Sequence, residues 1–439
     1  MFVSTKQRRI ATLARNNRAM AFTSLNQYMD YNWLLQAYQL TRKDGAAGVD
    51  GQTAEMYERQ LESNLLNLLD RMKSGQYRAP ALRRVYIPKG KGQKRSLGIP
   101  TFEDKIAQRA VAMLLEPIYE QDFYNCSFGS RKGRSAHHAL QSLRSHIMRD
   151  GGQWVLDVDI QKYFDTIDHS QLRQFLARRV ADGVVRKLID KWLKAGILES
   201  GELSYPTMGT PQGGVISPLL ANIYLHYVLD DWFIRTVQPR MQGRCSLTRF
   251  ADDFVMVFQN FDDCYRVERV LPERLGVYGL TLHPEKTQRI DFRVQYRKES
   301  KRRGLPINFD FLGFTHFWGI TRRGGFAIFR KTAKGRVAKT LKSFNDYCRK
   351  DRHKPLSEQY AMLNRKLRGH FAYFGITGNL KALKAVHHKV QLIWHKWLGR
   401  RSRKSYIPWE KFSQFLKRFP LTPPRIQHQY YQGHQLVNQ

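Results

Sequence analysis

Apolar side chains recur along this 439-residue chain in two rhythms, one of three or four residues and one of two, so helices and strands are interspersed. Thr53 to Met72 carries Tyr57, Leu61, Leu65, Leu68, Leu69 and Met72 in one stripe, which predicts a helix closing an N-terminal extension over residues 1–75. Arg78 to Pro100 reads as strands joined by the Gly90 to Gly92 loop, and Glu103 to Tyr119 as a helix with Ile106, Ala110, Met113 and Leu114 inward. Gln171 to Leu198 is mostly helical in pattern, and Pro218 to Trp232 predicts a second buried helix on Leu219, Ile223, Val228 and Leu229. Arg297 to Gly304 has no periodicity and reads as a basic surface loop.

Two of the strand-like runs contain acids, which apolar strands ordinarily exclude. Arg249 to Phe258 reads Arg-Phe-Ala-Asp-Asp-Phe-Val-Met-Val-Phe, with Asp252 and Asp253 as the tight turn between two buried strands. Trp154 to Asp159 is Trp-Val-Leu-Asp-Val-Asp, and alternation puts Asp157 and Asp159 on one face, opposite Val158 and Ile160. One of these two completes a carboxylate triad with the hairpin, able to share divalent cations with a phosphate chain. An acid pair on a hairpin tip alone is more often only solvated, so the second acidic strand carries the weight.

Between these runs, Met208 to Leu220 sets Gln212 among Pro211, Pro218, Gly209, Gly213 and Gly214, and the Gly-Gly pair permits a close backbone approach to a ligand. Together the three stretches resemble the polymerase core of reverse transcriptases, in wording nearest the proteins of group II introns. Further blocks of the resemblance, in family order, are Lys43 to Gly51, Tyr86 to Pro100, Cys126 to His138, His283 to Thr287 and Phe309 to His316. Two departures stand out: Phe250 replaces a usual Tyr, and the Cys-containing endonuclease domain of some members is not expected in this protein.

The resemblance implies an α+β right-hand polymerase, with fingers and a palm bearing an antiparallel catalytic sheet over residues 76–330. A helical thumb or maturase (X) domain over 331–404 and a short basic tail over 405–439, a remnant of a DNA-binding segment, complete it. By motif position Asp159, Asp252 and Asp253 are the ligands of two Mg²⁺ ions, for which Mn²⁺ can substitute, with Asp157 the alternative to Asp159. Lys89 and Arg95 match the finger cations that meet the triphosphate, and Lys286 matches a lysine that protonates pyrophosphate. Phe164 occupies the position that excludes the ribose 2′-hydroxyl, with Tyr163 beside it as the other candidate, and Gln212 packs against the nascent base pair or template. The implied substrates are dNTPs and an RNA template within an RNA/DNA duplex, and the implied partner is the intron RNA, spliced with this protein's help. Without an endonuclease, the primer is expected from a replication fork or another nick.

Charge agrees with a polyanionic partner. Lys and Arg number 74 against 37 Asp and Glu, a net +37, well beyond what solubility requires. From Lys331 to Lys404 about twenty Lys or Arg face about three acids, interleaved with Phe344, Tyr347, Tyr360, Phe371, Tyr373, Phe374, Trp394 and Trp397. Arg368, Gly369, His370, Phe371 and Tyr373 are the residues expected to form a face against the template-primer duplex. Cys126, Cys245, Cys264 and Cys348 show no Cys-x-x-Cys spacing, so neither a zinc ribbon nor a disulfide scaffold is indicated. No apolar stretch approaches the roughly 20 residues needed to cross a membrane, and a bacterial cytoplasmic, nucleoid-associated location is expected. The acid-free first 29 residues also suit an organellar transit peptide. Two competing readings are a group II-like enzyme recruited to repair, CRISPR spacer acquisition or phage defence, and a non-catalytic RNA-binding splicing factor. A pure binder has no need of a carboxylate cluster, which weighs against the second.

Overall fold

The computed structural model describes residues 3–90, 93–199, 201–205, 207–402 and 406–429. The chain divides into two compact units, one of Met1–Ala139 with Leu156–Arg289, the other of Leu140–Val155 with Ile290–Gln439. In chain order the strands are β1 (Leu82–Gly90), β2 (Gln93–Ile99), β3 (Trp154–Val158), β4 (Ile197–Glu199), β5 (Glu202–Ser204) and β6 (Cys245–Phe250). They continue with β7 (Asp253–Phe258), β8 (Gln288–Asp291), β9 (Phe309–Phe311), β10 (Phe314–Ile320) and β11 (Phe326–Thr332). Three sheets result, ordered β2-β1-β4-β5, β6-β7-β3-β8 and β11-β10-β9. With helices between and after them, the architecture is α+β, with antiparallel hairpins in every sheet and a helical C-terminal region.

The first unit is built around the helix Phe102–Asp122, whose Ile106, Ala110, Met113 and Leu114 are buried as the periodicity predicted. Thr101 caps it, accepting from the Asp104 amide at 3.2 Å. Helices Val3–Asn16 and Tyr31–Leu40 pack against it, and fully buried Trp33 donates its indole N–H to the Ala110 carbonyl at 2.9 Å. The helix expected over 53–72 is two, Ala54–Glu58 and Leu61–Ser74, broken at Arg59 and Gln60, although Tyr57, Leu65, Leu68 and Met72 still share the buried side. Gln171 to Leu198 likewise ends in β4, because Leu82 donates to the Gly196 carbonyl at 2.7 Å and draws that end onto β1 as a parallel neighbour. Ser217–Leu225 is helical and passes into π-helical turns at His226–Asp230 and Phe233–Val237, with Leu219, Ile223, Val228 and Leu229 buried.

In the second unit, Arg297–Arg302 is a short helix instead of a loop, anchored by buried Ser300. Helices Lys334–Lys350, Leu356–Phe374, Leu380–Leu398 and Trp409–Arg418 follow. Phe344, Phe371, Phe374 and Trp394 are core, as aromatics at helical spacing usually are. The face expected at 368–373 is divided: Arg368 and Gly369 are exposed, whereas His370 and Phe371 are buried. No helix among the described residues is long and apolar enough to cross a membrane.

One buried acid ties the first unit together. Asp104 accepts from the Tyr77 hydroxyl, from Trp192 Nε1 at 2.7 Å and from Gln108 Nε2 at 2.9 Å. Burial pushes its carboxyl up to about 6, and these three donors hold it from rising further. Because the folded value lies above the unfolded one, the stability from protonating Asp104 is full below about pH 4 and lost as pH rises through about 6. The stability advantage of the wild type over Asp104→Asn is therefore expected to shrink between these values. Denaturant unfolding of both proteins across that range checks it, and a constant difference would count against the buried titration.

Candidate active site

The hairpin β6-β7 carries the adjacent acids, but one residue out of the expected register. Phe250 pairs with Asp253, so the two turn residues are Ala251 and Asp252, and Asp253 opens β7. Two-residue hairpins need a left-handed residue at the turn, and Ala251 supplies it with φ of 56°. For a residue with a Cβ this costs about 1–2 kcal/mol. Asp252 is half-buried and Asp253 exposed, while Phe254 to Phe258 are all buried behind them.

Neighbouring strand β3 alternates as its sequence suggests. Leu156 and Val158 are buried on one side, while Asp157 and Asp159 are half-buried on the other, which they share with buried Val155. Beyond the strand, the Gln161 amide donates to Thr281 O and the His283 amide to Asp159 O, each at 2.8 Å. This pairing brings the turn His283 to Thr287 alongside, and Lys286 Nζ lies 2.5 Å from Asp159 Oδ2. The lysine is about half exposed, so the ion pair is worth at most about 1 kcal/mol and can exchange partners.

Phe164 and Gln212 are linked through backbone. Thr210 donates to the Phe164 carbonyl, Gly98 donates to the Gln212 carbonyl, both at 2.7 Å, and the Val215 amide donates to Gln108 Oε1 at 2.7 Å. The loop around Gln212 is thus held from the turn after β3, from β2 and from the Phe102–Asp122 helix. The close approach expected for the Gly213–Gly214 pair is made within the protein: a Cβ on Gly213, at φ of 118°, would sit 2.6 Å from Gly98 O. Phe164 is half-buried, whereas Tyr163 is core, its hydroxyl donating to Ala221 O at 2.6 Å. Burial pushes the Tyr163 hydroxyl well above its ordinary value, with the charge of Arg249 opposing. Arg95 is exposed on β2, opposite Ile87; the side chain of Lys89, on β1, lies outside the described residues.

A family model for reverse transcriptase (RNA-dependent DNA polymerase) matches residues 87–316, which include every one of these positions. The chain belongs to the reverse transcriptase family. It is similar to Protein YkfC of Escherichia coli K12, 35% identical over 324 residues, covering 66% of this chain and 84% of YkfC. It is also similar to the group II intron-encoded protein LtrA of Lactococcus lactis subsp. cremoris, 38% identical over 222 residues, 50% of this chain but 36% of LtrA. A 91 kDa protein in the cob intron of Schizosaccharomyces pombe is 35% identical over 201 residues, 46% of this chain and 23% of that protein. This chain thus spans most of YkfC but well under half of the two intron proteins.

The candidate site contains one group that sequence patterning did not single out. Arg249 is fully buried and places all five guanidinium N–H groups: Nε on Asp230 Oδ1 at 2.7 Å, one terminal nitrogen on Asp230 Oδ2 at 2.5 Å and Ser127 Oγ at 2.8 Å, the other on Asn222 Oδ1 at 2.9 Å and Ala251 O at 3.0 Å. Burial disfavours its charge, yet Asp230 holds its pKa above the usual arginine value. The Cys126 to Gly129 segment lies against the same strand: the Arg249 amide donates to Cys126 O at 2.8 Å and the Phe128 amide to Arg249 O at 2.9 Å. Asn222 Nδ2 donates to Gly129 O at 2.7 Å. A Cβ on Gly129 would fall 2.3 Å from the Ala251 amide nitrogen, so the turn rests directly on that glycine's backbone.

Gly129→Ala is therefore expected to displace the turn that bears Asp252. Overpacking of this kind usually costs about 1–3 kcal/mol, and backbone on both sides leaves little room for relief. A lowered thermal midpoint together with loss of primer extension is the expected result. A variant of wild-type stability and activity would mean that the turn does not rest there.

Proposed function

We propose that this chain copies an RNA template into cDNA and serves a group II intron RNA as its maturase. The observation that supports the polymerase reading is that Asp252 and Asp253 lie at the turn of a hairpin whose strand β7 neighbours β3, the strand that Asp159 follows, with Lys286 on Asp159. Among the described residues no three His, Cys, Asp or Glu side chains close into a metal cage. An open set of hard oxygen donors fits Mg²⁺, or Mn²⁺ in its place, which is commonly held by one or two carboxylates plus substrate phosphates. Two such ions supply activation of the primer 3′-hydroxyl and neutralisation of the departing pyrophosphate.

The protein's own groups do the remainder. Asp159, Asp252 and Asp253 hold the site's negative charge where the triphosphate arrives. Lys286 leaves its weak pair with Asp159 for the leaving group's oxygens, which it neutralises and protonates. Arg95, exposed on β2, and Lys89 meet the triphosphate, while Phe164 lies beneath the sugar and Gln212 beside the base pair. The likeness to LtrA over half of this chain supports an intron RNA as partner. A net charge of +37 supports long contact with RNA and an RNA/DNA duplex.

Asp252→Ala and Asp253→Ala are expected to abolish Mg²⁺-dependent cDNA synthesis and to leave RNA binding close to wild type, since neither side chain is core. Primer extension and filter binding on the same preparations test this, and extension near the wild-type rate would sink the carboxylate assignment.

Phe164→Val is expected to admit ribonucleotides while sparing polymerisation, because its half-buried ring can be trimmed without opening the core that Tyr163 fills. Shape discrimination of one small group is worth about 1–3 kcal/mol, so selectivity should relax by roughly tenfold to two hundredfold. Single-nucleotide incorporation of rNTP against dNTP measures it; an unchanged ratio in an active variant returns Phe164 to a packing role.

A further inference from the structure

We propose that Arg249 is a positioning residue for the reaction: its guanidinium, braced by Asp230, fixes the Ala251 carbonyl and thereby the direction in which Asp252 and Asp253 leave the turn. The proposal rests on the polymerase reading above. Ala251 sits in the left-handed region at φ of 56°, a conformation that persists in a non-glycine residue only where its surroundings over-determine it. Here the surroundings are the Arg249 contact at 3.0 Å to its carbonyl and the Gly129 backbone against its amide.

The anchoring side of the guanidinium is as closed as the turn side. Asp230 is fully buried on a π-helical turn and accepts from two guanidinium nitrogens, a bidentate fork that a point charge cannot reproduce. Asn222 joins this centre to the Gly129 carbonyl, so the hairpin, the Ser217–Leu225 helix and the Cys126 to Gly129 segment meet on one guanidinium plane. A group serving only the core would need Asp230; the contact to Ala251 O adds nothing to core packing and acts on the acids' own turn.

Arg249→Lys keeps the positive charge for Asp230 but cannot reach Asp230, Asn222, Ser127 and Ala251 at once. Measured on the full chain, with active sites counted by tight-binding RNA/DNA duplex, kcat per site is expected to fall on the order of a hundredfold with KM for dNTP little changed. Two readouts do not depend on turnover. Amide hydrogen exchange in a peptide covering residues 247–256 should quicken, and Mn²⁺ binding to the duplex-bound enzyme, read by electron paramagnetic resonance, should weaken. Asn222→Ala leaves the Asp230 fork intact and is expected to give the same changes in milder form, so it decides the matter if the lysine variant does not fold.

Wild-type kcat per site, wild-type exchange and wild-type Mn²⁺ binding in a folded Arg249→Lys or Asn222→Ala protein would overturn the proposal, even with a lowered melting temperature. Failure of the wild-type enzyme to extend a primer would instead overturn the polymerase reading, while the exchange measurement would still report on the turn.

Discussion

Carboxylates gathered to share cations repel one another whenever those cations are away, so their placement must be imposed by groups that do not depend on the metal. In this chain the imposition is made from beneath. Asp252 and Asp253 leave a two-residue turn whose strained residue, Ala251, is held by a buried guanidinium and seated on a glycine backbone. Asp159 is set from the other side, by the end of β3 and by the Thr281 to His283 segment paired along it. Lys286 covers one of the three charges with an ion pair weak enough to give up.

The same economy of support governs the segment proposed to meet the nucleotide. Gln212 lies on a loop with little regular structure, and such loops are ordinarily mobile. Here its backbone is bonded to Gly98, its neighbour Thr210 to Phe164, and Val215 to Gln108, which is in turn fixed by Asp104. Arg95 lies three residues before Gly98 on β2. Strand β2, the loop that bears Gln212 and, through Thr210, the turn that bears Phe164 are therefore joined by backbone hydrogen bonds.

What could be read from the sequence was what repeats or alternates. The stripe in Phe102–Asp122, the alternation of Asp157 and Asp159 with Val158 and Ile160, and the finger hairpin all follow from local period, and the fold shows each. Local period missed what distant partners decide. The break at Arg59 and Gln60 carries neither Gly nor Pro; β4 is strand because β1 is beside it; the turn shifted to Ala251 because Arg249 and Gly129, 120 residues apart in sequence, enclose it. Arg249 itself stands three residues before Asp252 and looks like one more among 74 Lys and Arg residues. The one signal available was its place beside Phe250 at the start of a run that is otherwise apolar but for the two acids, where a buried arginine needs a buried acid to be tolerated.

Burial is what sorts this protein's acids by task. Asp104 and Asp230 are buried and saturated, one by three neutral donors and one by a guanidinium fork, and each sets the position of a loop it never leaves. Removing one partner from a buried ion pair such as Asp230–Arg249 costs about 3–5 kcal/mol, so Asp230 cannot change partners during a reaction cycle. Asp159, Asp252 and Asp253 keep access to water, and the ion pair that Asp159 makes is one that solvent and salt already weaken. An acid that must release and rebind cations on every nucleotide addition belongs to this second kind. Exposure at the end of a buried strand, more than acidity or spacing, is therefore the physical mark that separates the proposed ligands from the supports.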